Sequence, residues 1–456
     1  MTAPVTALDL DELARHVASN GGRLCSPEAA VTIVERGHRV MIPIGSQPLA
    51  LADAVSARVG LLGADANIEF SDCAVAANYL WLQPGFPGVR SVVHEHWGGP
   101  VVRKQLRAAQ HDYVPIPFSL RFKAVGELAR TPEEARPIDV VMVQVSLPDE
   151  HGYVSFGPNA WNQLRFVEEA RFALAEMSDQ IYPAFGRENS AHVSKFHALV
   201  FNSSARRLSM GVQPNEAEIS IARHLSGLIQ DGDTIQVGAG SATTACIYAG
   251  AFDSKQDLGW HSEASVGRII DLIRDGVFTG MRKSIDRGLA VATGYAGSPE
   301  QMEFVRLHPG IHTRSTEYVH NVRTISSLDN MVAINAALAV DLTGQIAADS
   351  MGPEIIGGTG GQLEFAIGAI NAKNGRSVTV LESRALGGSV STIVPLLPEG
   401  TVVTVPRLFA DIVVTEYGVA RLWGKTVRER AAGLTSIAHP DHRDYLRAQA
   451  RVLLGG

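Results

Sequence analysis

The sequence predicts an α/β protein built as two related open α/β/α halves. Two observations carry this. The 44 glycines cluster between short β-branched runs and helical patterns, the alternation an α/β chain writes. One phrase also occurs twice: helix, glycine stop, strand, glycine turn, helix. A length of 456 residues suits two to four domains at roughly 100–200 residues each.

In the first copy, Ser26-Pro27-Glu28 reads as cap, first-turn proline and acidic first turn of a helix running to Glu35. Gly37 stops it, His38–Ile44 is a buried strand, and Gly45 opens the next turn. In the second copy, Ala217–Gln230 is helical, with Ile219, Ile221, His224, Leu225 and Leu228 at turn spacing. Asp231-Gly232-Asp233 stops it, Thr234–Val237 is a strand, and Gly238-Ala239-Gly240 opens a new helix. The polar stretch Gly211–Glu216 separates the copies, giving an N-terminal domain of residues 1–213 and a C-terminal domain of residues 214–456. Further strands are expected at Asn330–Asn335, Ser377–Glu382, Thr401–Val405 and Ile412–Thr415, short and rich in Val or Ile as parallel strands covered on both faces are. Ser262 is expected to cap, and Glu263 to open, an amphipathic helix whose stripe is Val266, Ile269, Ile270, Ile273 and Val277.

Composition excludes several functions. A net charge of −7 argues against general nucleic-acid affinity and leaves room only for a local basic pocket. No segment approaches the roughly 20 apolar residues of a membrane span. Met1–Gly22 carries Asp9, Asp11 and Glu12 and lacks the basic-then-apolar order of a signal peptide. Cys25, Cys73 and Cys246 give neither a disulfide framework nor a zinc spacing. His94-x-His96 lacks a third ligand, so no metal is expected. A soluble cytoplasmic protein follows as the expectation.

Two glycine loops could carry chemistry. Gly238-Ala239-Gly240-Ser241 lies between strand and helix, but Thr243 breaks the dinucleotide pattern G-x-G-x-x-G. It is either a tight turn or a backbone cradle for an anion. Gly357-Gly358-Thr359-Gly360-Gly361-Gln362 is either a linker or a side-chain-free wall for a ligand, and the ordered-looking Leu363-Glu364-Phe365 after it favours the wall. His439-Pro440-Asp441-His442 reads as turn chemistry where a helix ends. On pattern alone Glu263 is an acidic residue complementing a helix dipole.

Eight stretches in order resemble the family of acetyl-CoA hydrolase/transferases and 4-hydroxybutyrate CoA-transferases. They are Val143–Gly152 (VQVSLPDEHG), Ile235–Gly240 (IQVGAG), Leu258–Glu263 (LGWHSE), Met331–Asn335 (MVAIN), Gly358–Phe365 (GTGGQLEF), Val413–Ala420 (VVTEYGVA), Gly424–Ala431 (GKTVRERA) and Ile437–Arg443 (IAHPDHR). The resemblance implies CoA-transferase-type halves with the active site at their junction and Glu263 as nucleophile. It implies Asn335 and a backbone N–H of Gly360 or Gly361 as donors to developing negative charge. It implies CoA contacts at Gly238, Ala239, Gly240, Ser241 and Ala242, and at Gly358, Gly360 and Gly361. Coenzyme A would be a cosubstrate with no cofactor permanently bound. The partners would be an acyl-CoA and a small carboxylic acid, and the assembly a homodimer. Hydrolysis by the same glutamate is the alternative, and a non-catalytic acyl-CoA-binding protein a remoter one.

The chain also departs from the family. Gly387 and Ser389 stand where many relatives carry lysines, and Ala366-Ile367 where an arginine is usual. Trp260 beside the nucleophile is expected to reshape the acyl pocket. Arg314 and Tyr318, with His312 and His320, form a polar cluster that is either a receiver for a second carboxylate or a solvated turn.

Overall fold

The computed structural model describes residues 9–73, 79–83, 85–95, 111–123, 137–203, 212–265 and 267–455. His96 and Val266, and the side chains of Cys73 and His94, lie outside the described residues. The chain divides into two compact units. The first holds Met1–Ile116, Leu120–Arg207 and Thr313–Ser315; the second holds Pro117–Ser119, Leu208–His312 and Thr316–Gly456.

The sheet of the first unit has seven strands: β1 Arg39–Ile42, β2 Ile68–Cys73, β3 Val89–Glu95, β4 His111–Val114, β5 Val140–Ser146, β6 Phe172–Ser178 and β7 Ala198–Phe201. Their order is β4-β3-β2-β1-β5-β6-β7, and all six pairings are parallel. The order reverses at β1. Val40, Ile42, Phe70, Val140, Met142 and Leu174 pack with Leu51, Val55 and Val59 of the helix Leu49–Leu62 into one core layer. The expected helix after Ser26 is only a turn, Pro27–Ala30, followed by a 3-10 segment, although Ser26 does cap it.

The sheet of the second unit has eight: β8 Thr234–Val237, β9 Gly259–Ser265, β10 Ala290–Tyr295, β11 Ile311–Thr313, β12 Met331–Ala336, β13 Arg376–Val380, β14 Ile412–Thr415 and β15 Gly418–Arg421. The order is β11-β10-β9-β8-β12-β13-β14-β15. It repeats the first sheet's plan, outward from β8 in both directions, and adds an antiparallel edge strand. One face packs on the helices Glu216–Leu228, Ser241–Tyr248 and Gly267–Arg274 through Ile221, Leu225, Ile247 and Ile270. The other carries Phe365, Ala369, Ile325 and Val319. Gly37 and Gly232, the stops before β1 and β8, have φ of +78° and +86°, where a Cβ would be strained.

Three expectations are corrected. Thr401–Val405 is no strand: apart from an isolated bridge of Val405 to Ile346, its N–H groups go to scattered acceptors, Thr401 to the Pro398 carbonyl, Val402 to Ser350 Oγ and Thr404 to the Ile346 carbonyl. His439 does not merely end a helix; its ring caps the next one, Pro440–Leu454. Glu263 does not open a helix. It lies on β9, and the helix begins at Gly267.

Candidate active site

Strand β9 is hydrogen-bonded to β8 and β10 on either side, and its carboxyl end carries Glu263. Sites of open α/β sheets form at the carboxyl ends of strands near a reversal of strand order, and β9 lies next to β8, where this sheet's order reverses. Thr293 of β10 donates its hydroxyl to the Glu263 backbone carbonyl at 2.6 Å. The side chain is fixed from elsewhere in the chain. Oε2 accepts the Gly361 N–H at 2.9 Å and lies 2.9 Å from His320 Nε2. Oε1 has no hydrogen-bond partner among the described residues. Gly361 is the N-cap of the helix Gln362–Asn371, so the carboxylate sits at the positive end of that helix's dipole. The sequence expectation had the right interaction and the wrong helix.

Gly361 has no room for a side chain. A Cβ there would lie 2.2 Å from His320 Cδ2. Gly360 takes φ +53° and approaches the Glu263 carboxylate. Gly360 and Gly361 thus lay main chain against the carboxylate, the first required by its φ and the second by contact.

His320 is fully buried, between the rings of Phe118 at 4.9 Å and Phe365 at 5.2 Å. Its Nδ1 has no hydrogen-bond partner among the described residues. Beside it, buried Glu364 accepts the backbone N–H groups of Phe118 and Ser119 and the Ser119 hydroxyl. Burial pushes the Glu364 carboxyl above the usual range, opposed first by the His320 ring and then by those donors. The sequence placed His320 in a different cluster, and no local signal ties it to a glutamate 57 positions away.

Asn335, at the end of β12, exchanges hydrogen bonds with Gln236 of β8: Gln236 Nε2 to Asn335 Oδ1 at 3.0 Å and Asn335 Nδ2 to Gln236 Oε1 at 3.1 Å. The second Asn335 amide hydrogen has no acceptor among the described residues. Asn335 makes no hydrogen bond to Glu263. Gly238 lies against it so closely that a Cβ would meet Oδ1 at 2.5 Å. The turn Gly238-Ala239-Gly240 is tied by the Thr243 hydroxyl, 2.6 and 2.8 Å from the carbonyls of Gly238 and Gly240. Ser241 and Ala242 then open a helix with no side-chain cap.

The expected pocket residues go elsewhere. Trp260 is core, because three positions along a strand put it and Glu263 on opposite faces. It is 1% exposed, edge-on to Phe278, and its indole N–H donates to Ser265 Oγ at 2.7 Å. Arg314 is spent on a bidentate pair with Glu188 at 2.7 and 3.0 Å within the first unit. Tyr318 donates to Asp286 at 2.8 Å, and His312 turns to the Pro309 carbonyl. Arg314, Tyr318 and His312 thus each engage a different group. Gly387 and Ser389 lie in the exposed turn between Arg384–Ala385 and Val390–Ser391, where Arg384 pairs with Asp441. No cluster of metal ligands occurs among the described residues, and none of their helices is long and apolar enough to cross a membrane.

Parallel α/β units with a carboxylate held between a glycine wall at a helix start and a buried histidine belong to a protein of the CoA-transferase fold. The N-terminal domain profile of acetyl-CoA hydrolase/transferases matches residues 18–200 and the C-terminal profile residues 297–450, and the chain belongs to that family. It is 36% identical to 4-hydroxybutyrate coenzyme A transferase of Clostridium kluyveri, over 76% of this chain and 79% of the relative. It is 31% identical to succinyl-CoA:cyclohexane-1-carboxylate CoA transferase of Geobacter metallireducens, over 94% and 95%. The solved structure of RipA from Yersinia pestis superposes with a TM-score of 0.86 at 29% identity, covering 98% of this chain and all of RipA.

Proposed function

We propose that this chain moves CoA from an acyl-CoA to a small carboxylic acid by a ping-pong route through Glu263. The observation that carries it is the divided carboxylate, with Oε2 held by two donors and Oε1 unengaged among the described residues. Oε1 attacks the thioester carbonyl carbon, the C–S bond breaks, and CoA leaves as thiolate with a mixed anhydride on Glu263. The thiolate then attacks the glutamyl Cδ, and the acyl group leaves as the free acid. A second acid reverses these steps and departs as its CoA ester. One carboxylate replaces another throughout, so the thioester's reactivity is kept and neither ATP nor metal enters.

The acyl oxyanion needs placed donors, and the unspent Asn335 amide hydrogen suits it. Gly238–Ala242 and Gly358–Gly361 offer main chain without bulky side chains, against which CoA can lie. Binding energy from its distant nucleotide can then orient the thioester. We read the protein as a cytoplasmic homodimer. The relatives' names span hydroxybutyrate and cyclohexane-carboxylate substrates, so the acid class here is a small carboxylic acid without further assignment.

The test is release of free CoA from an acyl-CoA with and without an acceptor acid. Transfer predicts release that depends on the acceptor. Full-rate release without one would instead make the protein a hydrolase. Glu263→Gln is expected to lower kcat by at least about 10³-fold while CoA still binds.

A further inference from the structure

We infer that His320 is a catalytic donor in the second half of the exchange, resting on the reading of Glu263 as the nucleophile. In that reading Oε1 is the oxygen transferred, so Oε2 is the carbonyl oxygen of both the glutamyl anhydride and the glutamyl thioester. When thiolate attacks Cδ, the electron pair of the C=O bond moves onto Oε2. It returns as the Cδ–Oε1 bond breaks and the acid departs with Oε1. The groups already on Oε2 are the Gly361 N–H and His320 Nε2, both at 2.9 Å. They form the hole for that oxyanion, in place before the reaction begins, as effective electrostatic stabilisation requires.

The proton's position follows from the surroundings. A carboxylate oxygen only accepts, so an imidazole 2.9 Å away must present N–H at Nε2. Nδ1 is buried and has no hydrogen-bond partner among the described residues, so Nε2 is the ring's one engaged nitrogen. The rings of Phe118 and Phe365 and the missing side chain at Gly361 hold it in that orientation. The resemblance implied Asn335 and a backbone N–H of Gly360 or Gly361 as donors; the Gly361 N–H is on Oε2, while Asn335 pairs with Gln236 and makes no hydrogen bond to Glu263. His320 supplies the glutamyl side, leaving Asn335 for the acyl side.

The experiment compares His320→Gln, whose amide nitrogen can occupy the place of Nε2, with His320→Met, of similar length and no donor. His320→Met is expected to lose about 10²–10³-fold in kcat, with KM for the acyl-CoA within about threefold. His320→Gln is expected to recover at least about tenfold of that loss. Equal activities of the two variants would overturn the inference. Should His320→Met not fold, ¹⁵N-histidine spectra of the wild-type enzyme decide. The Nε2 resonance that His320→Gln removes must move when Glu263 is converted to its thioester, and an unmoved resonance contradicts the role. A CoA adduct absent from Glu263 would instead reject the nucleophile on which the inference stands.

Discussion

At the scale of single residues, the site is decided by what is missing as much as by what is present. Gly361 brings its N–H within 2.9 Å of Oε2 because no Cβ intervenes between its main chain and His320. Gly361→Ala forces atoms 2.2 Å apart to separate, and the histidine ring must give way. We expect that variant to fold with a stability loss of about 1–3 kcal/mol and to lose on the order of 10²-fold in kcat, measured by thermal unfolding and steady-state transfer. An alanine variant with wild-type turnover would contradict the packing described. Glu263 was legible in the sequence only through its LGWHSE neighbourhood; by pattern it was an ordinary acidic residue. His320 was not legible at all, because its partners Glu263, Phe118 and Glu364 arrive from distant strands, turns and helices. Trp260 was misplaced for a related reason, since a helix start and a strand end put its side chain on different sides.

At the scale of elements, β9 shows where pattern reading breaks down. Gly-Trp-His-Ser-Glu-Ala-Ser contains no β-branched residue, and propensity gives no reason to expect a strand. Pairing on both sides makes it one, while Thr234–Val237 and Ile412–Thr415, rich in branched residues, were predicted to the residue. A buried ammonium spans the gap beside β9: Lys283 donates to the carbonyls of Trp260 at 3.2 Å and Leu289 at 2.9 Å. Burial pushes its pKa from the ordinary 10.5 down to about 8, with Asp286 opposing. Between those values the unfolded chain holds a proton that the folded protein has lost, so stability rises with pH across the window. Below about 8 both states are charged and the cost is constant. Wild type should therefore gain stability on Lys283→Met as pH rises from about 8 to 10.5, read from denaturant midpoints at each pH. Parallel curves would show that the ammonium does not bear this cost.

At the scale of the molecule, two units repeat one plan. In each, a strand preceded by a left-handed glycine lies at the reversal of strand order, as β1 and β8 do. The repeated phrase around Gly37 and Gly232 revealed this plan because it records turns, which depend on local φ. Strand order was not legible, because it depends on which crossover lies over which face. The second unit alone carries the paired amides, the glycine wall and the held carboxylate, all at the ends of β8, β9 and β12 or on the loop Gly358–Gly361. In the proposed function Glu263 is the acceptor of CoA. The most direct test is to incubate the enzyme with acyl-CoA, quench in acid and digest, then weigh the peptide bearing Glu263. The account predicts a CoA adduct on Glu263 that disappears on adding acceptor acid. Full turnover with no adduct there, or with one on another side chain, would contradict it.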